Sequence, residues 1–188
     1  MNKKKQKKKV HNLKNDLKIT DNFLQKSAFH SMQAFFFGNQ LTWNFGEHKV
    51  YDTNQDMHNF QFVHTFYRAP KGTVSNFYSQ LTPLMKKIDP AVIIRIKANV
   101  TPYNPKILEF DLHNDSHFKC TTAIFFLNTN DGFTVFKDGT KVESVQNRLV
   151  EFPSHYLHAG TTCTNDKIRC VLNLNYITKE DLKYDEEI

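Results

Sequence analysis

The chain has 188 residues, which is the size of one domain that can bury a hydrophobic core. It has no apolar run of the roughly 18 residues that a membrane span needs, and no apolar segment follows its charged start, so we expect neither a transmembrane helix nor a secretory signal. The formal charge of +6 belongs to the first ten residues, MNKKKQKKKV, because their six lysines account for all of it.

The lysine-rich start and the cysteine usage limit the partners and the compartment. We predict that residues 1–15 form a basic, disordered tail, because a block of like charges repels itself, and that residues 16–188 form a single domain. The same lysines could bind an anionic partner, and this alternative stays open. Cys120, Cys163 and Cys170 form no CxxC pair, which is typical of a reduced, cytoplasmic protein with buried thiols.

Two helices are predicted before the long strands. Asp21 is a suitable N-cap for a helix through Phe37, after which Gly38 ends the pattern. A second helical pattern covers residues 75–88, and Pro83 predicts a break or kink inside it. The apolar face of the first helix consists of Leu24, Ala28, Met32, Phe35 and Phe36.

Short strands follow the second helix at close spacing, and one more precedes it. The predicted strands cover residues 60–67, 93–100, 107–115, 120–127, 132–137, 148–152 and 168–177. A helical start followed by many short strands is typical of a mainly β domain, an α+β arrangement in which the helices pack on one side of a sandwich or barrel.

A group of metal-binding residue types stands directly before an apolar run, in FDLHNDSHFKCTTAIFFLN. In a strand, alternate residues share one face, so Asp111, His113, Asp115 and His117 would point the same way. His113 and Asp115 could then bind one ion together. The motif alone is weak evidence, because a short His-x-Asp match also occurs by chance.

Two residues further along the chain strengthen this interpretation. His158 lies in FPSHYLHAGTT, 45 residues after His113, and Arg169 begins the apolar run RCVLNLNY. An arginine in an apolar strand needs an anion or a place at the rim, because burying an unpaired charge is costly. Two histidines and one carboxylate leave positions open on non-haem Fe(II), and a guanidinium suits a small dicarboxylate. The order His-x-Asp, His, Arg fits iron plus 2-oxoglutarate.

The phrases CTTAIFFLN, NRLVEFPSHYLHAG and RCVLNLNY resemble the 2-oxoglutarate- and Fe(II)-dependent dioxygenases, in particular their prolyl 4-hydroxylase-like branch. The resemblance covers about residues 91–177 and implies a double-stranded β-helix, or jelly-roll, core. It implies that His113, Asp115 and His158 are the catalytic metal ligands for iron. It also implies that Arg169 binds the distal carboxylate of 2-oxoglutarate.

One position departs from the family pattern. Some relatives use a tyrosine hydroxyl for the distal carboxylate near the end of the second strand, where this chain has Phe126. Asn173, on the face of Arg169 by strand parity, or Asn99, on the preceding strand, could supply the missing donor. Whether Asn99 or Tyr103 takes the usual position before the metal motif stays open.

The resemblance implies an oxygenase that hydroxylates a C–H bond and releases succinate and CO₂. Its cofactors and cosubstrates would be Fe(II), 2-oxoglutarate and O₂, with ascorbate as a candidate reductant, and its substrate a prolyl or other peptidyl residue. One alternative is a nucleic-acid demethylase of the same superfamily. Another is a non-enzymatic, cupin-like metal-binding module, in which His117 and His155 join His113 and His158 at the metal.

Overall fold

The computed structural model describes residues 13–47, 49, 57–116 and 118–183. The helices in these ranges are α1 (Leu13–Asp16), α2 (Lys26–Phe37), α3 (Thr82–Ile88) and α4 (Lys179–Lys183), with a 3₁₀ turn at Tyr78–Leu81. The strands are β1 (Lys18–Thr20), β2 (Asn44–Gly46), β3 (Gln61–Arg68), β4 (Gly72–Thr73), β5 (Val92–Pro102), β6 (Thr121–Phe126), β7 (Phe133–Phe136), β8 (Lys141–Glu143), β9 (Leu149–Pro153), β10 (His158–Gly160) and β11 (Ile168–Ile177).

The strands form two antiparallel sheets. The large sheet has the order β1-β9-β6-β11-β5-β3-β2, with β4 paired to β3, and the small sheet has the order β10-β7-β8. Neighbours in the large sheet are distant in sequence, because the chain crosses between the sheets as it proceeds. This arrangement confirms the predicted mainly β, jelly-roll fold.

One face of the large sheet carries the main core. Strand parity places alternate residues of β11 on this face, among them Leu172 and Leu174, which are fully buried. Helix α2 packs Phe36 against Phe66 of β3, with ring centroids 5.8 Å apart. Each such side chain contributes about 1.5–3 kcal/mol when it leaves water, so the helices stay on this face.

The other face of the large sheet meets the small sheet. A second core cluster joins Ile124 and Phe126 of β6 to Phe136 of β7, and Phe136 packs edge-on against Phe152 of β9 at 4.9 Å. The residues of β11 that alternate with the main core also point this way, and Arg169 is one of them. Polar side chains on this inner face therefore lie in the space between the sheets.

One predicted strand and the predicted start of one helix are wrong. Residues 107–115 do not form a strand: they make isolated bridges to Thr161 and His158, because the partner β10 is three residues long. Helix α2 begins at Lys26, not after Asp21, since the Asp21 carboxylate binds Arg148 with Nη2 3.0 Å from Oδ2. The break predicted near Pro83 is present, as a 3₁₀ turn that leads into α3.

The predicted tail lies mostly outside the described residues, and so does His117. The described residues begin at Leu13, whose side chain is buried against the second core cluster. The three cysteines are buried and unpaired, as expected. Within the described ranges, we find no helix with the length and apolar character that a membrane crossing requires.

Candidate functional site

His113, Asp115 and His158 come together between the two sheets. One possible ligand atom of each lies within 4.8 Å of the others. The two histidines form a backbone bridge: each amide N–H donates to the carbonyl of the other, at 3.0 and 2.9 Å. This bridge brings two distant stretches of sequence side by side, so that their imidazole rings lie 4.8 Å apart.

Backbone carbonyls assign the tautomers of both histidines. Nδ1 of His113 lies 3.1 Å from the carbonyl oxygen of Asp111, and Nδ1 of His158 lies 3.1 Å from that of Tyr156. A carbonyl only accepts, so each Nδ1 carries a hydrogen, and in the neutral ring the free lone pair is on Nε2. The Phe152 ring packs edge-on against His158 at 4.9 Å and fixes its orientation.

The Asp115 carboxylate is held from two sides. Nη2 of Arg95 donates to Oδ1 at 2.8 Å, and the amide of Asn173 donates to Oδ2 at 3.0 Å. Burial would raise the pKa of Asp115, but His158, Arg95 and Asn173 outweigh it and hold the pKa below its usual range. Asp115 is therefore an oriented anion 3.5 Å from Nε2 of His158.

Arg169 lies deeper in the same space and is 4% exposed. Its Nε donates to the hydroxyl of Ser144 at 2.8 Å and its Nη2 to that of Thr134 at 3.0 Å. Burial lowers its pKa to about 10, so it stays charged at neutral pH. Among the described residues no carboxylate pairs with it, although an unpaired buried cation is costly.

The two predicted asparagines have different surroundings. Asn99 lines the pocket, and its Oδ1 is buried without a hydrogen-bond partner in the described part of the chain. Asn173 also lines the pocket, but its side chain contacts Asp115 and accepts from Arg95 at 3.3 Å. Tyr103, in contrast, is 52% exposed.

His155, which precedes His158 in the sequence, lies outside the His-Asp-His cluster. His155 is exposed and stacks on Tyr156 with ring centroids 4.8 Å apart. It does not belong to the cluster of His113, Asp115 and His158 in the part of the chain that the structure describes. The fourth histidine of the all-nitrogen alternative, His117, is outside that part.

Several pocket residues were missed by the sequence reasoning. Lys97 lines the pocket and Arg95 contacts Asp115 beside it. Both alternate with Asn99 along β5, so the same strand parity could have identified them. Burial first, and Arg95 next, lower the pKa of Lys97 to about 8. Lys49 follows β2 in a segment with no motif, and nothing in the sequence places it in the pocket.

His113, Asp115, His158, Asn99 and Arg169 line one pocket between the sheets, with a cavity volume of about 60 Å³. The His-Asp-His cluster lies in the same pocket as Arg169, and the apolar side chains of Ile124 and Val171 form part of the wall. The pocket therefore offers three converging ligands and a cation in one water-restricted space.

No protein-family model matches the chain, and no curated protein matches it. Solved structures match over most of its length. A prolyl hydroxylase from Trichoplax adhaerens, in complex with an oxygen degradation domain peptide of hypoxia inducible factor, is 15% identical with a TM-score of 0.59; the match covers 92% of this chain and 88% of that one. A prolyl-4-hydroxylase from Pseudomonas putida is 13% identical with a TM-score of 0.52, covering 89% and 95%.

A third similar structure is the epimerase SnoN in complex with Fe³⁺, α-ketoglutarate and nogalamycin RO. It is 10% identical with a TM-score of 0.56, and the match covers 88% of this chain and 80% of that one. At these identities the likeness establishes the fold. The chain thus has the fold of the 2-oxoglutarate- and Fe(II)-dependent oxygenases, the prolyl hydroxylases among them, as the sequence resemblance implied.

Proposed function

We propose that this protein is an Fe(II)- and 2-oxoglutarate-dependent oxygenase that hydroxylates a C–H bond of a prolyl or other peptidyl residue. The observation that carries the proposal is the combination in one pocket of a His-Asp-His cluster and a buried arginine that has no carboxylate partner among the described residues. The cluster alone would also suit a storage site. The arginine adds the need for an organic anion.

The residues present fit an Fe(II) ion. His113 and His158 would bind it through Nε2, because both Nδ1 atoms face carbonyls, and Asp115 would bind through a carboxylate that is already oriented. Two imidazoles and one carboxylate form the facial set that leaves coordination positions for a cosubstrate and O₂. When bound, the metal with 2-oxoglutarate and O₂ supplies the oxidising chemistry, with release of succinate and CO₂.

The protein's own residues bind, orient and exclude water. Arg169 would bind the distal carboxylate of 2-oxoglutarate, with its guanidinium fixed by Ser144 and Thr134. Arg95 and Asn173 keep the Asp115 carboxylate in one orientation, which limits the ways in which it can coordinate. The apolar wall at Ile124 and Val171 restricts water, which strengthens the electrostatic contacts inside the pocket.

A peptide substrate is supported by two observations. The similar Trichoplax structure holds a peptide. In addition, the first ten residues account for all of the net positive charge, so the rest of the chain has no net charge, whereas a nucleic-acid groove usually presents a basic face. We therefore favour a peptidyl substrate over a nucleic acid.

The test is a titration followed by a substrate screen. Anaerobic protein loaded with Fe(II) is titrated with 2-oxoglutarate and monitored for metal-to-ligand charge-transfer absorbance. It is then exposed to O₂ with proline-containing peptides, matched peptides with alanine in place of proline, and oligonucleotides. We expect the absorbance band and succinate formation that rises with the proline peptides. No band and no 2-oxoglutarate binding would contradict the oxygenase proposal, and stimulation by oligonucleotides alone would contradict the peptidyl substrate.

A further inference from the structure

A second cation enters the pocket from a segment that carries none of the proposed metal ligands. Lys49 follows β2, and its backbone carbonyl accepts a hydrogen bond from the side-chain amide of Gln61 at 3.3 Å. Its Nζ donates to Oγ1 of Thr101 at 2.7 Å and lies 3.6 Å from the centroid of the Phe110 ring. These contacts direct the ammonium group into the pocket and satisfy one of its three N–H donors directly.

Lys49 has no anionic partner among the described residues. Burial first, and then the positive charges of Arg169 and Lys97, hold the pKa of Lys49 well below its usual range. An exposed lysine would avoid this cost by extending into water. A lysine and an arginine close together in one pocket, with no carboxylate between them, indicate a site for an anion that comes from outside the chain.

The backbone of Gly160 lets the two cations come close to each other. A Cβ atom at this position would lie 3.2 Å from Nη1 of Arg169 and 3.8 Å from Nζ of Lys49. Both cationic groups therefore approach the same residue, which has no side chain to separate them. The Nη1 group is also the part of the guanidinium that Ser144 and Thr134 do not occupy.

We propose that Lys49 binds the distal carboxylate of 2-oxoglutarate together with Arg169, and so selects a dicarboxylate over a monocarboxylic 2-oxo acid. The proposal rests on the proposed function above and adds a residue that the sequence motifs do not contain. The proposal also accounts for Phe126, whose ring centroid lies 5.5 Å from Cζ of Arg169. Phenylalanine offers no hydrogen-bond donor, so another residue must provide the second contact to the distal carboxylate.

The experiment compares two 2-oxo acids that differ at the distal end. Wild type and Lys49→Met, both loaded with Mn(II), are titrated calorimetrically with 2-oxoglutarate and with 2-oxopentanoate, which has a methyl group in place of the distal carboxylate. We expect Lys49→Met to weaken 2-oxoglutarate binding about tenfold or more and to leave 2-oxopentanoate binding within about twofold of wild type. Lys49→Arg should recover part of the loss, because it keeps the charge.

Lys141→Met is the matched control. Lys141 also lies over a ring, with Nζ 4.1 Å from the centroid of Phe133, and its ammonium pairs with Glu109 at 3.1 Å. It is 53% exposed and does not line the pocket. The control therefore removes a lysine and a cation–π contact without changing the site, and we expect no change in the affinity for either acid.

A second measurement separates a binding role from a structural one. Without ligand, Lys49→Met should unfold at the temperature of wild type or above it, since the change removes a desolvated cation. With 2-oxoglutarate, the rise in unfolding temperature should be smaller than in wild type. A lower unfolding temperature without ligand, or equal weakening of both acids, would show that Lys49 is structural and would overturn the proposal.

The two proposals fail in different ways. If wild-type protein binds no 2-oxoglutarate, the proposed function fails and the role of Lys49 fails with it. If wild type binds 2-oxoglutarate and Lys49→Met binds it equally well, only the role of Lys49 is wrong.

Discussion

At the scale of single residues, we expect the carboxylate of Asp115 to determine whether the cluster can hold a metal. We expect Asp115→Ala to reduce succinate formation more than about 100-fold, because the loss of a direct ligand exceeds the usual cost of losing an outer-shell partner. The variant should stay folded, since the side chain lies in a pocket and does not contribute to either hydrophobic cluster. Succinate assays and circular dichroism measure the two effects.

His155 and His158 provide a matched pair for the same assay. His155→Ala should keep wild-type activity, because the side chain is exposed and outside the cluster, whereas His158→Ala should be inactive. The reverse result would mean that the assigned distal ligand is wrong.

Arg169 is expected to control cosubstrate affinity without controlling metal affinity. Arg169→Ala should weaken 2-oxoglutarate binding by about 2–5 kcal/mol, the usual effect of removing one partner of a buried charge pair. Fe(II) affinity should change little, because the contacts of Arg169 are to Ser144 and Thr134 and not to the ligands. Arg169→Lys should recover part of the loss, since an ammonium keeps the charge but not the planar fork.

The measurement is the charge-transfer titration with 2-oxoglutarate for each variant. An affinity of Arg169→Ala within twofold of wild type would show that the arginine is structural. That result would favour the non-enzymatic metal-binding alternative, because the argument for an organic anion in the pocket depends on the guanidinium of Arg169.

At the scale of elements, the register of β5 against β11 places Arg95 opposite Asn175 and within reach of Asp115. Arg95→Met should lower metal affinity about 10–100-fold, the usual effect of removing a group that orients a ligand. The unfolding temperature should change less than in a core variant, because the side chain of Arg95 is 24% exposed. Competition with a chromogenic chelator measures the metal affinity.

Lys97 on the same strand is the control for Arg95. It lines the same pocket, and no hydrogen bond or ion pair joins it to Asp115 in the structure as described. Lys97→Met should therefore leave metal affinity closer to wild type than Arg95→Met does. Equal losses in the two variants would indicate a general effect of pocket charge and would contradict a specific orienting contact.

Strand β10 carries both the proposed metal ligand His158 and Gly160. Gly160→Ala should weaken 2-oxoglutarate binding, because the added Cβ enters the volume beside Nη1 of Arg169 and Nζ of Lys49. Backbone strain should be small, since Gly160 is not among the glycines with positive φ, which are Gly72 and Gly139. Calorimetry with 2-oxoglutarate checks the affinity, and affinity equal to wild type would show that the cosubstrate does not use this volume.

At the scale of the whole molecule, the boundary of the folded domain can be tested from the N-terminal side. Deleting residues 1–10 should leave the free energy of unfolding and succinate formation unchanged, because the segment is dominated by lysines and has little to bury. Leu13→Ala should instead cost about 2 kcal/mol or more, since this side chain is 6% exposed against the second core cluster. Urea unfolding of both variants provides the comparison.

If the deletion reduces activity on a polymeric substrate at low salt but not at high salt, the tail recruits an anionic partner through screened charges. Loss of folding on deletion would contradict the predicted tail. Activity on a small substrate, measured at the same low and high salt concentrations, serves as the reference.

Much of the fold could be predicted from sequence because its signals are local. The largely apolar runs in 120–127 and 168–177 are typical of strands that are buried on both faces, and the observed β6 and β11 match them closely. His113, Asp115, His158 and Arg169 were also expected to share one site, and they line one pocket. Charged and metal-binding side chains beside apolar strands are chemically costly unless they have partners, so they stand out in the sequence.

Only the tertiary structure could show which distant residues meet. Segment 107–115 has strand-like alternation, but the short partner β10 limits it to isolated bridges. Asn173 lines the pocket with Arg169, and only the structure shows that it also donates to Asp115. Lys49 reaches Thr101 from a segment without any motif, because a pocket is enclosed by whatever chain passes over it. Local sequence determines periodicity and chemical type, whereas non-local packing determines which side chains share a cavity.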